Sequence, residues 1–358
     1  MNRMLLAQAT NPNAPNVQIQ TQVNPSPMHY VLIAGLNYPS YSNGYKLVGD
    51  NSSYVDKRKK EIIASNRKNE SIVITTVNLL KGKVIKDTYV NGQIDKSDTK
   101  DYDPITLDNY QTNHPYFTFN GKNIIKKWDI YKIAEDLGQN DPGTLMEFGI
   151  YSHAYYDGPI LVDSDSQDLT NDNDLRRSDI NSVDTAFGSS FDKDGIMIVW
   201  GCSFPKMLNL LFSKLRRNSK YKLTKIDDTE VFSYPKNHFY VDNTTNPDSG
   251  YLVTMINSYA GTSFMVNEKI DLTFFQIKKI AAFNYIHTYA ARFANKFDIK
   301  VKAALPATYS NVSPNFHIAS DTMANVNLYK FHLGITLDNN FGIFDKNTVE
   351  SFKNLYSL

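Results

Sequence analysis

The stretch that decides the fold is residues 195–205, Gly-Ile-Met-Ile-Val-Trp-Gly-Cys-Ser-Phe-Pro. Its apolar and β-branched residues, Ile196 to Trp200, lie between two glycines, which is typical of a buried strand inside a parallel sheet. The only cysteine of the chain, Cys202, follows this strand directly. We therefore expect Cys202 at the carboxyl edge of the sheet, where open α/β sheets bind their ligands.

A second stretch has the same form and ends in a histidine. Residues 144–154, Thr-Leu-Met-Glu-Phe-Gly-Ile-Tyr-Ser-His-Ala, are again mostly apolar, and His153 stands at the carboxyl end. If the two strands are parallel neighbours, a thiol and an imidazole meet at one edge of the sheet. A cysteine with an adjacent histidine base is the arrangement of a covalent nucleophile.

The order of strand and helix patterns predicts an α/β fold of three layers, α/β/α, around a mostly parallel sheet. In particular, we expect residues 30–35, 145–152 and 196–201 to be neighbouring parallel strands. The other patterns of the first two thirds of the chain are a strand at 71–80, helices at 51–65, 124–137 and 205–217, and a polar stretch at 81–115 that indicates a hairpin or a surface insertion.

We divide the chain into three parts. Residues 1–27 are rich in Asn, Gln and Pro and predict a flexible leader. Residues 28–230 form the α/β core, in which the acidic, polar stretch 163–194 predicts a long loop. Residues 231–358 form an α+β part that either completes the sheet or makes a small extra lobe. The patterns expected toward the C-terminus are strands at 229–241, 251–257, 299–305 and 329–337, and helices at 272–297 and 346–355.

The amino-acid composition narrows the range of possible functions. The chain has 38 basic and 37 acidic residues, and this balance argues against nucleic acid as a partner. No apolar run is long enough for a transmembrane helix, and the N-terminus has no signal-peptide core, so we expect a cytoplasmic protein or one exported without a cleaved signal. A single cysteine excludes an internal disulfide, and the histidines lack metal-ligand spacing, so we predict no metal or cofactor.

Three segments together resemble the caspase-like cysteine peptidases, which include caspases, metacaspases and the clostripain and gingipain enzymes. Residues 30–38, Tyr-Val-Leu-Ile-Ala-Gly-Leu-Asn-Tyr, are similar to the opening strand of metacaspases. Ser152-His153 and residues 200–203, Trp-Gly-Cys-Ser, stand where the family carries its catalytic histidine and cysteine. The histidine precedes the cysteine by 49 residues, close to the roughly 50 of caspases. The resemblance implies a caspase-like sheet and cleavage of a polypeptide, either another protein or the chain itself.

The resemblance also implies roles for individual residues. Cys202 would be the nucleophile, and His153 the general base and later the acid for the leaving amine. The backbone N–H groups of Cys202 and Ala154 would bind the developing oxyanion. Ala154 stands where the family usually has glycine.

Three further residues are candidates for substrate binding. Asp50 lies in the loop after the first strand, where metacaspases carry one acid of their pocket for a basic side chain. Trp200 stands where metacaspases usually carry a second acid, two positions before the cysteine. Asp157 follows the histidine in a Tyr-Asp-Gly-Pro turn, where it either orients His153, meets a basic substrate group or caps the turn.

Two other functions stay open at the level of the sequence. One is a cell-wall amidase or another Cys/His hydrolase that acts as an effector, although the common folds of that kind place Cys before His. The other is a non-catalytic structural or adaptor protein that keeps the fold and binds a protein partner. In that case Cys202 is a small buried apolar side chain, and His153 is a strand-end histidine bonded to the backbone.

Overall fold

A computed structural model describes ten segments of the chain. They are residues 26–37, 49–66, 70–106, 122–155, 157–162, 173–203, 205–217, 226–239, 251–311 and 317–358. The predicted leader, apart from residues 26 and 27, lies outside the described residues. The first part of the predicted acidic loop, residues 163–172, lies outside them as well.

Within the described segments, nine strands form one mixed sheet. In their order across the sheet they are β16 (Leu337–Asp338), β17 (Phe341–Phe344), β13 (Lys300–Ala303), β10 (Phe191–Trp200), β7 (Leu145–Tyr151), β1 (Met28–Ala34), β4 (Ile72–Asn78), β5 (Lys83–Val90) and β6 (Gln93–Asp101). The five central strands, from β13 to β4, are parallel, and antiparallel pairs add two strands at each edge.

The remaining described strands form short antiparallel pairs outside this sheet. They are β2 (Leu36–Asn37) with β3 (Gly49–Asp50), β8 (His153–Tyr155) with β9 (Gly158–Ile160), β11 (Val231–Tyr234) with β12 (Ile270–Thr273), and β14 (Ser310–Asn311) with β15 (His317–Ile318). The α-helices of the described segments are α1 (Ser52–Ser65), α2 (Lys127–Asn140), α3 (Ala186–Ser189), α4 (Lys206–Arg217), α5 (Tyr251–Ala260), α6 (Phe274–Ile286), α7 (Tyr289–Phe297), α8 (Met323–Asn327) and α9 (Lys346–Tyr356).

Both faces of the central strands are buried because these strands are apolar at consecutive positions, whereas the edge strand β6 is exposed along its length. In β1, Val31 and Ile33 belong to the larger core cluster, which also contains the apolar residues of α2, α6, α7 and α9. The alternate residues, Leu32 and Ala34, point to the opposite face. There they share a second cluster with Val55 of α1. The predicted α/β class with a largely parallel central sheet flanked by helices is therefore confirmed.

The three strands expected to be neighbours are neighbours. β1 and β7 pair in parallel up to Ala34 and Tyr151, and β7 and β10 pair in parallel up to Tyr151 and Trp200. The hairpin predicted within 81–115 is β5 with β6. The predicted helices at 51–65, 124–137, 205–217 and 346–355 correspond to α1, α2, α4 and α9. The last third of the chain contributes β13, β16 and β17 and so completes the sheet.

Three predictions for the last third were wrong. Residues 251–257 belong to helix α5, because Val253, Ile256 and Ala260 are spaced to bury one helical face. The single helix expected at 272–297 is split into α6 and α7. Thr288 caps α7 by accepting the Ala291 N–H at 3.1 Å, which starts a new helix at that point. The strand expected at 329–337 begins within a π-helix, Leu328–His332, and only its last residue, Leu337, lies in a strand.

The acidic stretch is also more regular than expected. Beyond residue 173 it contains a 3₁₀ helix, Asp179–Ser182, then α3 and the start of β10. Hydrogen bonds from buried polar groups hold this stretch in one conformation. Asp174, for example, accepts the N–H groups of Leu161 and Val162 at 2.8 and 2.9 Å. Acidic composition alone therefore missed the helical residues 179–182 and 186–189 and the start of β10.

An ion pair fixes α1 on the sheet. Glu147 of β7 is only 2% exposed, and Arg58 of α1 donates to both of its carboxylate oxygens, from Nε to Oε1 at 3.2 Å and from Nη2 to Oε2 at 2.6 Å. The two parallel N–H groups match the carboxylate, so the pair sets both the position and the rotation of the helix.

We expect Arg58→Met to destabilise the fold by about 2–3 kcal/mol, because it leaves the Glu147 carboxylate buried without its cation. Urea unfolding monitored by circular dichroism measures the effect. The double variant Arg58→Met/Glu147→Leu is expected to recover most of the loss, because no buried charge remains. If the double variant is as unstable as Arg58→Met, the loss comes from packing of the Arg58 stem, and the proposed cause is wrong.

Candidate active site

The candidate site lies where β1, β7 and β10 end at the same edge of the sheet. After β1 the chain passes through Gly35 into β2, and after β7 it passes through Ser152 into β8. After β10 it passes through Gly201 to Cys202. His153 and Cys202 each stand two residues beyond Tyr151 and Trp200, the last pair of the β7–β10 ladder. The register therefore places both residues at the same edge of the sheet, just beyond two adjacent strands.

Two glycines allow these three chain segments to approach closely. A Cβ atom on Gly35 would lie 2.6 Å from Ser152 Cβ, which is closer than real Cβ atoms pack. A Cβ atom on Gly201 would overlap Ala154 Cβ and lie 2.9 Å from Ala154 N. The backbone on each side of His153 therefore packs against a glycine, Gly35 on one side and Gly201 on the other, and no larger residue fits at either position.

His153 is half-buried and contacts Asn37 of β2. Its Nε2 lies 3.3 Å from Asn37 Oδ1. An amide oxygen only accepts hydrogen bonds, so in this pairing Nε2 carries the proton and Nδ1 is the basic nitrogen. Burial lowers the pKa of His153, because it disfavours the imidazolium. The imidazole is therefore neutral at neutral pH, as a general base requires.

Cys202 is partly exposed, and its thiol lies against a segment from the last third of the chain. Sγ is 3.8 Å from both the carbonyl oxygen and Oγ of Ser310. The next residue, Ser203, exchanges two backbone hydrogen bonds with Thr308, at 3.1 and 3.2 Å. The pKa of Tyr309 is raised, first by burial and then by the neighbouring Cys202. Residues 308–310 therefore form one wall of the site.

The predicted oxyanion donors lie in adjoining backbone segments. In the part of the chain that the structure describes, the Cys202 N–H donates no hydrogen bond. Ala154 N lies beside Gly201, the residue directly before Cys202. A small cavity of about 20 Å³ adjoins Gly201, Cys202 and Ala154, which is room for about one water molecule and too little for a substrate side chain.

The candidate acids have structural partners. Asp50 accepts hydrogen bonds from the Ser52 N–H at 3.1 Å, the Ser52 hydroxyl at 2.6 Å and the Asn78 amide at 2.7 Å, so it anchors the start of α1. Asp157 forms an ion pair with Arg177, with Nε 2.6 Å from Oδ1. Their predicted roles in substrate binding stay predictions.

Trp200 takes part in an aromatic cluster. Its ring stacks on Tyr151, with centroids 6.0 Å apart, and meets Phe341 edge-on at 5.1 Å. Lys302 Nζ lies 5.1 Å from the ring centroid. These contacts join β7, β10, β13 and β17 and account for the tryptophan at this position, while its predicted contact with substrate stays a prediction.

Asn37 had no predicted role from the sequence. The sequence does contain a signal for Asn37, which is an amide two residues after the glycine that follows β1. Because β1 lies beside the strand that carries the histidine, the residues that follow β1 reach the same edge of the sheet. The Ser310 wall has no comparable signal. It is 108 residues from Cys202 in sequence. The pairing of β13 with β10 and the backbone bridge between Ser203 and Thr308 bring it beside the thiol.

Comparisons with protein-family models, with curated proteins and with solved structures gave no match to this chain. No group of three or more His, Cys, Asp or Glu side chains in the described segments is placed to hold a metal ion. Of the helices described, none is long and apolar enough to cross a membrane.

We expect Gly201→Ala to destabilise the protein by about 2–3 kcal/mol, because the new methyl group overlaps Ala154. Adding Ala154→Gly removes the overlapping atom, so a double-mutant cycle measured by urea unfolding should show a favourable coupling of about 1 kcal/mol. Gly261→Ala is the control. Its Cβ would meet open space, and only its left-handed backbone, φ +70°, opposes the change. Additive effects of the two substitutions at residues 154 and 201 would disprove the contact.

Proposed function

We propose that the protein is a caspase-like cysteine peptidase that cleaves a polypeptide with Cys202 as nucleophile and His153 as base. The proposal rests on one observation. Cys202, which carries the only thiol of the chain, and His153 each lie two residues beyond the last paired residues of two adjacent parallel strands, β10 and β7. The strand order around β7, with a parallel centre and helices on both faces, is what a caspase-like three-layer sheet would have.

Asn37 extends the pair to three residues. Its amide oxygen accepts the Nε2 proton of His153, which holds the ring in the tautomer with a basic Nδ1 and stabilises the imidazolium once it forms. Asn37 is therefore a positioning residue. It acts on the reaction through His153.

The reaction follows from these groups. His153 takes the thiol proton, and the thiolate attacks the carbonyl carbon of the scissile peptide bond. The oxyanion that forms is bound by the N–H groups of Cys202 and Ala154. The imidazolium gives its proton to the leaving amine, which leaves a thioester on Cys202. A water molecule, deprotonated by His153, then hydrolyses the thioester to a carboxylate and regenerates the thiol.

The partly exposed position of Cys202 supports this function over the non-catalytic alternative. A cysteine kept only for packing is usually fully buried. Gly201 supports it too, since it lets the backbone carrying the thiol approach the backbone carrying His153.

Thiol reactivity tests the pair directly. We expect iodoacetamide to label Cys202 in the folded protein at neutral pH, and His153→Ala to slow labelling about tenfold or more, because the base that stabilises the thiolate is lost. His238→Ala, which removes another half-buried histidine, one bonded to the Leu210 carbonyl, is the control and should leave the rate unchanged. Labelling that needs denaturation, or that proceeds equally fast without His153, would refute the proposal.

Asn37 is tested by a pH profile with a peptide substrate selected from a library. Asn37→Ala should lower kcat about tenfold or more with little change in KM, since it affects the base and not binding. The acid limb of the wild-type profile should lie below the ordinary histidine value of 6.5, because burial lowers the pKa of His153. Asn37→Asp should move that limb to higher pH, because a carboxylate stabilises the imidazolium. An unmoved limb would show that Asn37 does not act through His153.

A further inference from the structure

A second, larger cavity lies next to the site. Its volume is about 600 Å³, within the range of small-molecule sites. His287 lines it, while the next two residues, Thr288 and Tyr289, line the small cavity beside Cys202. The two cavities thus lie at the same junction between α6 and α7, and the larger one has no part in the proposed reaction.

Two arginines give this cavity a cationic side. Arg177 is held in place by Asp157 and by its Nη1, which donates to the His287 carbonyl at 3.2 Å. Arg292 of α7 is exposed, and in the described segments its guanidinium has no carboxylate within ion-pair distance. The positive field extends to the ring of His287. Burial lowers the pKa of His287, and Arg292 and Arg177 lower it further.

The lining of the cavity also contains stacked aromatic rings. The ring of His287 stacks on Phe283 with centroids 4.0 Å apart, and Phe283 stacks on Tyr259 at 3.8 Å. His287 Nδ1 lies 2.8 Å from the Phe283 carbonyl oxygen, which fixes the ring. Asn181, an exposed amide, adds a hydrogen-bond donor to the lining. A preformed aromatic wall faces the same space as the two guanidinium groups.

We infer that this cavity binds a small organic phosphomonoester. Guanidinium groups bind phosphate oxygens in pairs, so Arg177 and Arg292 would hold the phosphate group. The volume exceeds what a phosphate ion needs, and the remaining space lies against the stack of Tyr259, Phe283 and His287, which suits a planar apolar moiety. Among the described residues that line the cavity, Asp157 is the one carboxylate, and it limits affinity by repelling the anion.

Isothermal titration calorimetry with phenyl phosphate tests the inference, with inorganic phosphate and phenol as comparison ligands. We expect saturable binding of phenyl phosphate, binding of inorganic phosphate that is about tenfold weaker, and none of phenol. Arg292→Gln should weaken phenyl phosphate binding about tenfold or more, because it removes the charged donor. Arg217→Gln, which removes an exposed arginine from α4, is the control of equal charge and should change nothing.

A second variant keeps the inference testable if Arg292→Gln perturbs the fold. Asp157→Asn should strengthen binding severalfold, because it removes the repelling charge and keeps an amide oxygen that can accept from Arg177 Nε. A misfolded protein would not bind more tightly. Any one of three results would overturn the inference. The wild-type protein could show no saturable binding of phenyl phosphate, phenol could bind equally well, or Arg217→Gln could weaken binding as much as Arg292→Gln does. Cys202→Ala should bind as the wild type does, so the result is independent of the proposed peptidase activity.

Discussion

The candidate site depends on one steric constraint: the backbone that carries His153 fits between two glycines. Gly35 permits the end of β1 to pass beside Ser152, and Gly201 permits the end of β10 to pass beside Ala154. A methyl group at either position would push the strand ends apart. The chain segments that follow three parallel strands therefore pack closely against one another, and these segments carry Asn37, His153 and Cys202.

The rest of the structure holds these three strand ends in register. The Asn51 side chain donates to the Gly35 carbonyl at 3.1 Å, which ties the start of α1 to the exit of β1. Farther along α1, Arg58 binds the buried carboxylate of Glu147 on β7. The same helix is thus attached to the strand that leads to Asn37 and to the strand that leads to His153. Their contact is therefore built into the packing of α1 on the sheet.

Local sequence predicted the elements that build the site. Continuous apolar runs followed by a polar residue located β7 and β10, and the same pattern placed His153 and Cys202 at one edge. Features that depend on distant contacts were not predicted. Ser310 reaches the thiol through the pairing of β13 with β10 and the bridge between Ser203 and Thr308. Buried Asp174, which bonds the backbone of residues 161 and 162, orders a stretch whose acidic composition resembles a loop.

Errors in the last third have a related cause. The β-branched run at 251–257 resembles a strand, but packing against α6 favours a helix with Val253 and Ile256 buried. At Thr288 a capping signal was present in the sequence, and the apolar pattern that continues across it concealed the break between α6 and α7. Local patterns therefore locate strands well where both faces are buried, and less well where tertiary packing decides between a helix and a strand.

Covalent bridging of the thiol and the imidazole tests the central claim most directly. Dibromoacetone alkylates a thiol with one arm and, if an imidazole is within reach, alkylates it with the other. Peptide mass spectrometry of the folded protein after treatment should show Cys202 bridged to His153, and His153→Ala should show single alkylation only. Single alkylation of Cys202 in the wild type, with the second arm hydrolysed, would show that the two side chains do not meet and would contradict the account.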